Sequence, residues 1–506
     1  MAEKMHKVGL YTLGCKVSLY ETEAIGEAFE RAGYLVAPFN EVCDVYVINT
    51  CTVTAESDAK SRKYIRRAIR KNPEAIVIVI GCYGQRAPEE VAAIEGVSAV
   101  LGTQDKMKCV EVADRLLNAE CRMQNAESDS PSGRGVTAGD SEVSTAGDGE
   151  ALTSDNAPVG ASIARPPVSQ AFPAWEGDSR RLTDEVPTAE IHVGSLDGAT
   201  FEPMCVNKAP RTRAYVKIED GCECKCSYCA ISPARGPVRS KRPEEVISEV
   251  EGLYRNGTLE IVLTGIETGS YGADFDEKYD LADLICQLDR RGSCERIRLG
   301  SMAPELLSAG FIDRISDTKI MVPHIHISMQ SGSDSVLRGM RRRYNRGMAL
   351  KNIEHIRAKM PGVMLTADLM VGFPGESEED FLDSMRFVSE AGLLDAHVFA
   401  YSKREGTPAA EYENQIPEQV KKDRSARLIA ECARVRDEIL SSVISRGEPL
   451  SCILETEQRG VYTAHSDSYI EVRVKGDKGL SGTLVSVKPI SHENGIIYGE
   501  IIKNDN

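Results

Sequence analysis

Residues 220–229 have the sequence Asp220-Gly-Cys-Glu-Cys-Lys-Cys-Ser-Tyr-Cys229, which places Cys222, Cys226 and Cys229 in a CxxxCxxC spacing. This spacing differs from the CxxC pairs of zinc ribbons and from the CxxCxxC run of ferredoxins. No further Cys or His follows closely. Three thiolates would therefore leave one iron of a [4Fe–4S] cluster open to another ligand. We expect Cys224 to be a bystander, and a zinc site is the alternative interpretation.

A second set of three cysteines is spread over the first part of the chain. Helical patterns around 20–32 and 58–71 separate short apolar runs that are typical of buried strands, which predicts a parallel α/β domain over residues 1–118. Because parallel strands bring their carboxyl ends to one edge of a sheet, cysteines that follow these strands should converge there. The runs are 8–12, 45–49 and 76–80, and the cysteines that follow them are Cys15, Cys51 and Cys82. We expect this set to hold a second iron–sulfur cluster, rather than to be unrelated small apolar residues.

The composition changes between residues 119 and 209, where Ser, Gly, Ala, Pro and acidic residues dominate. Such a segment is predicted to be an acidic disordered linker. The formal net charge of the whole chain is −16. That charge argues against general affinity for nucleic acid, although local basic patches remain compatible with it.

The length of 506 residues predicts about three domains. The start of the sequence lacks the pattern of a signal peptide, and no apolar stretch approaches the roughly 20 residues of a membrane span. Fifteen cysteines in such a chain favour metal binding or catalysis in a reducing compartment over disulfides. We therefore expect a cytoplasmic protein that does not contact a membrane.

Alternating strand and helix patterns continue over residues 210–440, and the cysteine loop follows the first strand. Six β/α units predict a partial or complete barrel of the TIM type, with its site at the carboxyl ends of the strands. The predicted strands are 214–218, 261–263, 296–299, 325–329, 365–370 and 396–400. A charged helix is expected over 417–446. Four short alternating strands (451–455, 469–474, 482–488 and 496–502) predict a small β-barrel over 441–506.

The CxxxCxxC loop resembles the signature of radical S-adenosylmethionine (SAM) enzymes. In that family the open iron takes the amino and carboxylate groups of SAM, and one electron from the cluster cleaves the sulfonium to give a 5′-deoxyadenosyl radical. The resemblance implies that cofactor-binding residues lie in the cysteine loop and at the ends of later strands. Our candidates are Tyr228, Thr264, Gly265, Ser328, Gln330 and Asp368.

Three further motifs resemble the methylthiotransferases: Thr12-Leu-Gly-Cys-Lys16, Asn49-Thr-Cys-Thr-Val-Thr54 and Gly81-Cys-Tyr-Gly84. The C-terminal β segment is similar to the TRAM domain of that family. Membership implies two [4Fe–4S] clusters and two molecules of SAM per turnover. One SAM supplies a methyl group to sulfur, and the other supplies the radical that activates a C–H bond. It also implies an electron donor, such as flavodoxin or ferredoxin, and a sulfur source.

Within the family, the segments 213–221 and 234–240 look most like the branch that acts on threonylcarbamoyladenosine. The runs 264–272 and 342–344 support the same branch. The expected substrate is therefore C2 of N6-threonylcarbamoyladenosine at position 37 of tRNA, next to the anticodon. The alternatives are N6-isopentenyladenosine in tRNA and an aspartate of a ribosomal protein. The pair Ser232-Pro233 departs from the family pattern, in which the proline often stands one position earlier.

A tRNA substrate requires cationic surface for phosphates. Two runs with unbalanced positive charge, 60–71 and 338–346, are candidates for this contact. From them we predict RNA contacts by Arg66, Arg67, Arg70, Arg341, Arg342 and Arg343. The C-terminal segment is acidic, so RNA binding by this segment depends on a local basic cluster of Arg473, Lys475 and Lys478. A non-catalytic RNA-binding protein with zinc in both cysteine sets is the competing hypothesis.

Overall fold

The N-terminal part of the computed structural model, which describes residues 5–128 and 189–502, is a parallel α/β domain as predicted. Its strands are β1 Lys7–Thr12, β2 Leu35–Ala37, β3 Val45–Thr50, β4 Ile76–Gly81, β5 Ala99–Leu101 and β6 Glu190–His192. Its helices are α1 Lys16–Arg31, α2 Ala55–Lys71, α3 Cys82–Arg86, α4 Pro88–Ala92 and α5 Cys109–Ser128. The strands pair in parallel in the order β2-β1-β3-β4-β5-β6.

Two apolar layers cover this sheet. On one face, Phe29 of α1 and Val112 of α5 pack on alternate strand residues, and on the other face Ile65 of α2 and Val91 of α4 do so. Every residue of β3 and β4 is buried. This explains why the two strands are apolar apart from Asn49 and Thr50 at the end of β3, since a parallel sheet covered on both faces has no polar side.

The linker prediction is wrong for its last part. Strand β6 pairs with β5 and completes the sheet, and residues 194–209 continue into the next domain as ordered chain. A three-residue strand after a long polar stretch carries too weak a pattern to be recognised from sequence alone. Helix α5 runs to Ser128, and its end from residue 118 belongs to a separate unit from the rest of the fold. The remaining linker prediction falls on 129–188, outside the described residues.

The central part is the predicted partial barrel. Its strands are β7 Arg213–Lys217, β8 Glu219–Asp220, β9 Arg239–Ser240, β10 Glu260–Thr264, β11 Arg296–Leu299, β12 Ser301–Met302, β13 His324–Gln330, β14 Met364–Val371 and β15 Leu393–Ala400. Its helices are α6 Ile231–Arg235, α7 Pro243–Arg255, α8 Leu281–Arg291, α9 Ala309–Ser316, α10 Asp334–Gly339, α11 Arg346–Lys359 and α12 Glu378–Ala391. All six strands predicted from the sequence are present.

The barrel is open along one side. Seven of these nine strands form two parallel sheets, β11-β10-β7 and β12-β13-β14-β15, while β8 and β9 form a separate antiparallel pair. The edge strands β7 and β15 do not pair with each other. Helix α1 of the N-terminal domain packs beside β7, at that open side. The N-terminal domain therefore stands next to the interior of the barrel.

A 29-residue helix, α13 Glu418–Arg446, leads into a closed five-stranded barrel. The strands are β16 Leu450–Gln458, β17 Val461–Ser466, β18 Glu471–Lys475, β19 Leu484–Glu493 and β20 Ile496–Ile501. The sequence analysis missed β17. No helix in the part of the chain that the structure describes is both long and apolar enough to span a membrane.

This small barrel caps the end of the β/α barrel that lies away from the cysteine loop. Arg213, the first residue of β7, donates to Glu455 at 2.8 Å. Arg296, the first residue of β11, donates to the Ser451 hydroxyl at 2.5 Å. The ring of His324, the first residue of β13, stacks on Tyr469 with 4.6 Å between ring centroids. Since the cysteine loop follows the opposite, carboxyl end of β7, the cap leaves that end free.

A buried ionic network joins the N-terminal domain to the barrel. Glu21 of α1 accepts from Arg235 Nη1 at 2.6 Å and lies 3.0 Å from Lys217 Nζ and 3.2 Å from Lys106 Nζ. Asp220 lies 2.6 Å from Lys217 Nζ and 3.2 Å from Arg235. Burial alone would raise the pKa of Glu21, but the three surrounding cations hold it well below its usual range.

We expect Glu21→Gln to weaken the fold strongly, because it leaves three buried cations with one carboxylate fewer. Removing one partner of a buried ion pair costs about 3–5 kcal/mol. The measurement is the thermal midpoint, which should fall by several degrees. Glu30→Gln, on the exposed side of the same helix, should stay within about 1 °C of the wild type. Equal midpoints for the two variants would show that the network does not hold the domains together.

Candidate active site

The structure brings Cys15, Cys51 and Cys82 to one edge of the N-terminal sheet. They follow β1, β3 and β4, which are neighbours in the sheet. Gly14 packs so closely that a Cβ there would lie 3.1 Å from the Cβ of Cys51. Burial raises the pKa of the Cys82 thiol to about 12, Arg235 opposes this shift, and the charges of Cys51 and Cys15 add to it. The three sulfurs therefore share one electrostatic environment.

Arg235 connects this edge to the central cysteine loop. Its Nε donates to Cys82 Sγ at 3.1 Å, while its Nη1 holds Glu21 and Asp220. Asp220 comes two residues before Cys222, and Arg235 comes six residues after Cys229. One fully buried guanidinium thus touches the N-terminal cysteine set and fixes both ends of the central loop.

Each sulfur of the central set receives one N–H donor. The backbone N–H of Cys224 donates to Cys222 at 3.5 Å, and that of Ile231 donates to Cys229 at 3.3 Å. Arg342 Nη1 donates to Cys226 at 3.1 Å. Hydrogen bonds to sulfur stabilise thiolates and tune iron–sulfur clusters, so the donor set fits such a cofactor.

Neither cysteine set converges on the position of a single ion. Among the described residues, three His, Cys, Asp or Glu ligand atoms lie within 4.8 Å of one another only at His326, Asp368 and His397. A single zinc ion needs its ligands that close, because four of them surround it at about 2.0–2.3 Å.

Some of the predicted SAM-binding positions lie around the central loop. Thr264 is the last, buried residue of β10, and Gly265 follows it. A Cβ at Gly265 would lie 2.3 Å from Glu219 Oε2, so any larger residue there would displace the Glu219 carboxylate. Gln330 ends β13 with φ +64°, and Tyr228 packs against the apolar cluster that contains Met340.

Ser328 and Asp368 differ from their predicted settings. The carbonyl of Ser328 accepts from Arg342 and from the Tyr344 hydroxyl, at 3.3 and 2.8 Å. Asp368 was expected at the end of its strand, but it lies three residues before the end of β14. Its two oxygens lie 3.2 Å from His326 Nε2 and His397 Nδ1. Asp368 therefore belongs to the interior of the barrel. Ser328 is connected to Cys226 through Arg342, whereas the described contacts of Asp368 are with the two histidines.

Residues 7–102 of the chain match the uncharacterized protein family UPF0004, and residues 216–388 match the radical SAM superfamily. The chain is 37% identical to the threonylcarbamoyladenosine tRNA methylthiotransferase MtaB of Bacillus subtilis, over 96% of this chain and 94% of that protein. The chain belongs to the radical SAM methylthiotransferase family.

Two further similarities place the methylthiotransferase among its relatives. It is 30% identical to a tRNA-2-methylthio-N(6)-dimethylallyladenosine synthase of Lachnoclostridium phytofermentans, over 97% of this chain and 95% of that protein. The radical SAM methyltransferase TsrM of Kitasatospora setae has the same fold, with a TM-score of 0.51 and 14% identity, over 80% of this chain and 77% of that one.

The basic helix of the methylthiotransferase is α2. Arg66, Arg67 and Arg70 are all exposed on it. Tyr64, on the same helix, stacks on Tyr11 with 3.9 Å between ring centroids. Tyr11 lines a cavity of about 460 Å³ that also contains Cys15. The predicted RNA-contacting helix therefore borders the N-terminal cysteine set.

The second basic run is divided by the structure. Arg341 and Arg343 are exposed, as an RNA contact requires. The prediction for Arg342 is wrong, because its guanidinium is committed to Cys226, Ser328 and the ring of Tyr344. The sequence does not distinguish Arg341, Arg342 and Arg343 from one another. The conformation of the turn after α10 determines that Arg342 is the one directed toward Cys226.

Sequence reasoning missed Arg235, Glu21 and Lys16 as site residues. Arg235 lies in the run 234–240, which served only to indicate the family branch. Glu21 sits within an ordinary helical pattern. Lys16 directly follows a cysteine of the N-terminal set. A charged residue on the buried face of a helix would have indicated such a site. Which face of α1 is buried, however, is known only once the barrel is placed beside it.

Arg342→Met should lower the reduction potential of a cluster at the central set by on the order of 50 mV, or about 1 kcal/mol for one electron. The reason is the loss of a charged N–H donor to Cys226, which helps the cluster accept negative charge. The measurement is a potentiometric titration followed by electron paramagnetic resonance.

Arg343→Met is the matched control and should leave that potential unchanged while weakening tRNA binding. The assignment of Arg342 fails if its variant keeps the wild-type potential and loses affinity for tRNA instead.

Proposed function

We propose that this methylthiotransferase modifies tRNA, at C2 of N6-threonylcarbamoyladenosine in position 37, next to the anticodon. The main support for this proposal is that Arg235 connects the two cysteine sets. A cavity beside the N-terminal set, bordered by the basic helix α2, lies next to them. The name of the Bacillus subtilis relative, at 37% identity over nearly the full length, supports the same substrate.

We assign one [4Fe–4S] cluster to Cys15, Cys51 and Cys82 and a second, SAM-binding one to Cys222, Cys226 and Cys229. When bound, these cofactors supply the methyl group, the sulfur chemistry and the radical that removes hydrogen from C2. Arg235 and Arg342 each place a positive charge on one cysteine of a set. A cluster held by three thiolates is anionic, so both contacts would stabilise it.

For SAM, the neighbourhood of Gly265 fits the amino end. Glu219 lies directly against this glycine, and its buried Oε1 has no hydrogen-bond partner in the described structure. A buried oxygen without a partner is costly unless a ligand supplies a donor. Thr264, Tyr228, Ser328 and Gln330 would line the same end of the barrel, while Asp368 lies deeper inside it.

For tRNA, candidate cationic contacts lie on all three domains. The exposed arginines of α2 and Arg341 and Arg343 would contact phosphates. In the C-terminal barrel, Arg473, Lys475 and Tyr498 line a groove of about 1,020 Å³. A groove with cations and an aromatic ring suits an unpaired, splayed base and its backbone. This local cluster allows RNA contact despite the acidic charge of the tail.

The proposal also includes a cytoplasmic location, an electron donor such as flavodoxin or ferredoxin, and a separate sulfur source. The second candidate substrate is N6-isopentenyladenosine in tRNA, which the name of the Lachnoclostridium phytofermentans relative favours. The third candidate substrate is an aspartate of a ribosomal protein.

Mass spectrometry of tRNA nucleosides tests the substrate. Cells that lack this gene should lose 2-methylthio-N6-threonylcarbamoyladenosine and accumulate the precursor without the methylthio group. Re-expression of the gene should restore the modified nucleoside. If this nucleoside is unchanged and the methylthiolated isopentenyl species disappears, the substrate assignment is wrong.

Serine substitutions test the division of labour between the two cysteine sets. Cys222→Ser, Cys226→Ser or Cys229→Ser should abolish reductive cleavage of SAM. Cys15→Ser, Cys51→Ser or Cys82→Ser should preserve that cleavage and stop insertion of the methylthio group. Each variant should lose about four of the roughly eight irons per chain.

Cys224→Ser is the matched control, since Cys224 lies in the same loop but is not assigned to a cluster. It should retain all the iron and both activities. Loss of SAM cleavage from both sets alike would contradict the assignment.

A further inference from the structure

The half-buried ammonium group of Lys16 makes no ion pair in the part of the chain that the structure describes. Within the described ranges, 5–128 and 189–502, its ammonium group has neither a hydrogen-bond acceptor nor a carboxylate within ion-pair distance. Lys16 is the first residue of α1, directly after Cys15. Together with Cys15, Tyr11 and Arg211 it lines the cavity of about 460 Å³ beside the N-terminal cysteine set.

The charged groups around Lys16 are already committed to other partners. The charges that act on it electrostatically are those of Asp368, which attracts it, and of Arg298 and Arg213, which repel it. Asp368 is held between His326 and His397, Arg298 makes two hydrogen bonds to Glu260 at 2.8 and 3.0 Å, and Arg213 donates to Glu455. A half-buried charge without a partner is unfavourable, so the site is suited to an anion that arrives from outside.

The chemistry of the proposed substrate supplies such an anion at the right place. C2, which receives the methylthio group, and N6, which carries the threonylcarbamoyl group, belong to the same six-membered ring of adenine. The N6 substituent must therefore lie close to the source of the sulfur, and Lys16 adjoins a cysteine of that set. The threonylcarbamoyl group ends in a carboxylate, whereas the isopentenyl group is uncharged.

We infer that Lys16 binds the carboxylate of the threonylcarbamoyl group and thereby selects this nucleoside over uncharged N6 substituents. The inference rests on the proposed function and assigns the residue that determines its specificity. The cavity is within the usual size range of small-molecule sites, about 300–1,000 Å³, so a substituted base fits it. Exposed Arg211 lies at the same cavity and favours the approach of an anion.

The competing role for Lys16 is to balance the charge of a cluster at Cys15. Arg235 already donates to Cys82 of the same set, and its fully buried guanidinium cannot reach a substrate in the cavity. Lys16, in contrast, faces the cavity. A measurement of substrate preference together with the properties of the cluster therefore separates the two roles.

The test uses the reconstituted enzyme and three fluorescent anticodon stem–loops, with binding measured by anisotropy. They carry N6-threonylcarbamoyladenosine, its analogue with a neutral carboxamide in place of the carboxylate, or N6-isopentenyladenosine. The wild type should bind the carboxylate loop about tenfold more tightly than the carboxamide loop, as expected for a hydrogen bond between charged groups. Lys16→Met should abolish this preference, and Lys16→Arg should retain part of it.

Lys351→Met, which removes an exposed lysine from α11, should keep the full preference. Iron content and visible absorbance should be unchanged in Lys16→Met. The inference is overturned if Lys16→Met keeps the wild-type preference, or if it alters the cluster spectrum while the preference survives.

Turnover by the wild-type enzyme separates this inference from the proposed function. If the wild type methylthiolates threonylcarbamoyladenosine and Lys16→Met still prefers the carboxylate loop, only the role of Lys16 is wrong. If the wild type methylthiolates only the isopentenyl substrate, the proposed function itself fails, and the role of Lys16 fails with it.

Discussion

The buried contact of Arg235 with Glu21, Asp220 and Cys82 is the interaction on which the arrangement of this protein depends. Four cations (Lys106, Lys217, Arg235 and Arg239) and three carboxylates (Glu21, Glu202 and Asp220) form the network around it. The excess positive charge faces the sulfur of Cys82. Burial raises the pKa of the Cys82 thiol, so an anionic cofactor bound at the N-terminal set would balance this charge.

This arrangement explains how two cysteine sets from different domains can serve one reaction. The guanidinium of Arg235 lies between the edge of a parallel sheet and the first loop of a barrel, and it holds both at hydrogen-bond distance. Helix α1 contributes Glu21 to the network and Lys16 to the cavity, from the same side of the barrel. The small C-terminal barrel closes the opposite end through Arg213, Arg296 and His324. The end of the β/α barrel at which the cysteine loop lies is therefore not covered by the small C-terminal barrel.

Predictions from the sequence were correct where a local pattern of residues is itself the physical reason for the structure. The six barrel strands and the buried strands β3 and β4 were recognised because a short apolar run is typical of a strand that is covered on both faces. Strand β17 was missed because its half-buried alternation contains polar residues, and β6 because three residues carry too little pattern. The predicted end of the linker at residue 209 was wrong for the same reason, because β6 lies before it. Arg342 was assigned to RNA because charge alone does not tell an exposed arginine from one that contacts a sulfur.

The sequence by itself determined the two cysteine sets, the order of strands and helices, and the resemblance to the methylthiotransferases. These depend on spacing and periodicity, which are local properties of the chain. Only the tertiary structure decided that Arg235 contacts Cys82, that Arg342 turns inward to Cys226, and that Lys16 makes no ion pair among the described residues. Each of these depends on which groups from distant segments share a water-poor interior, where a charge must find a partner. Residues far apart in the chain, such as Cys82 and Arg235, acquire that relation only when the sheet and the barrel pack together.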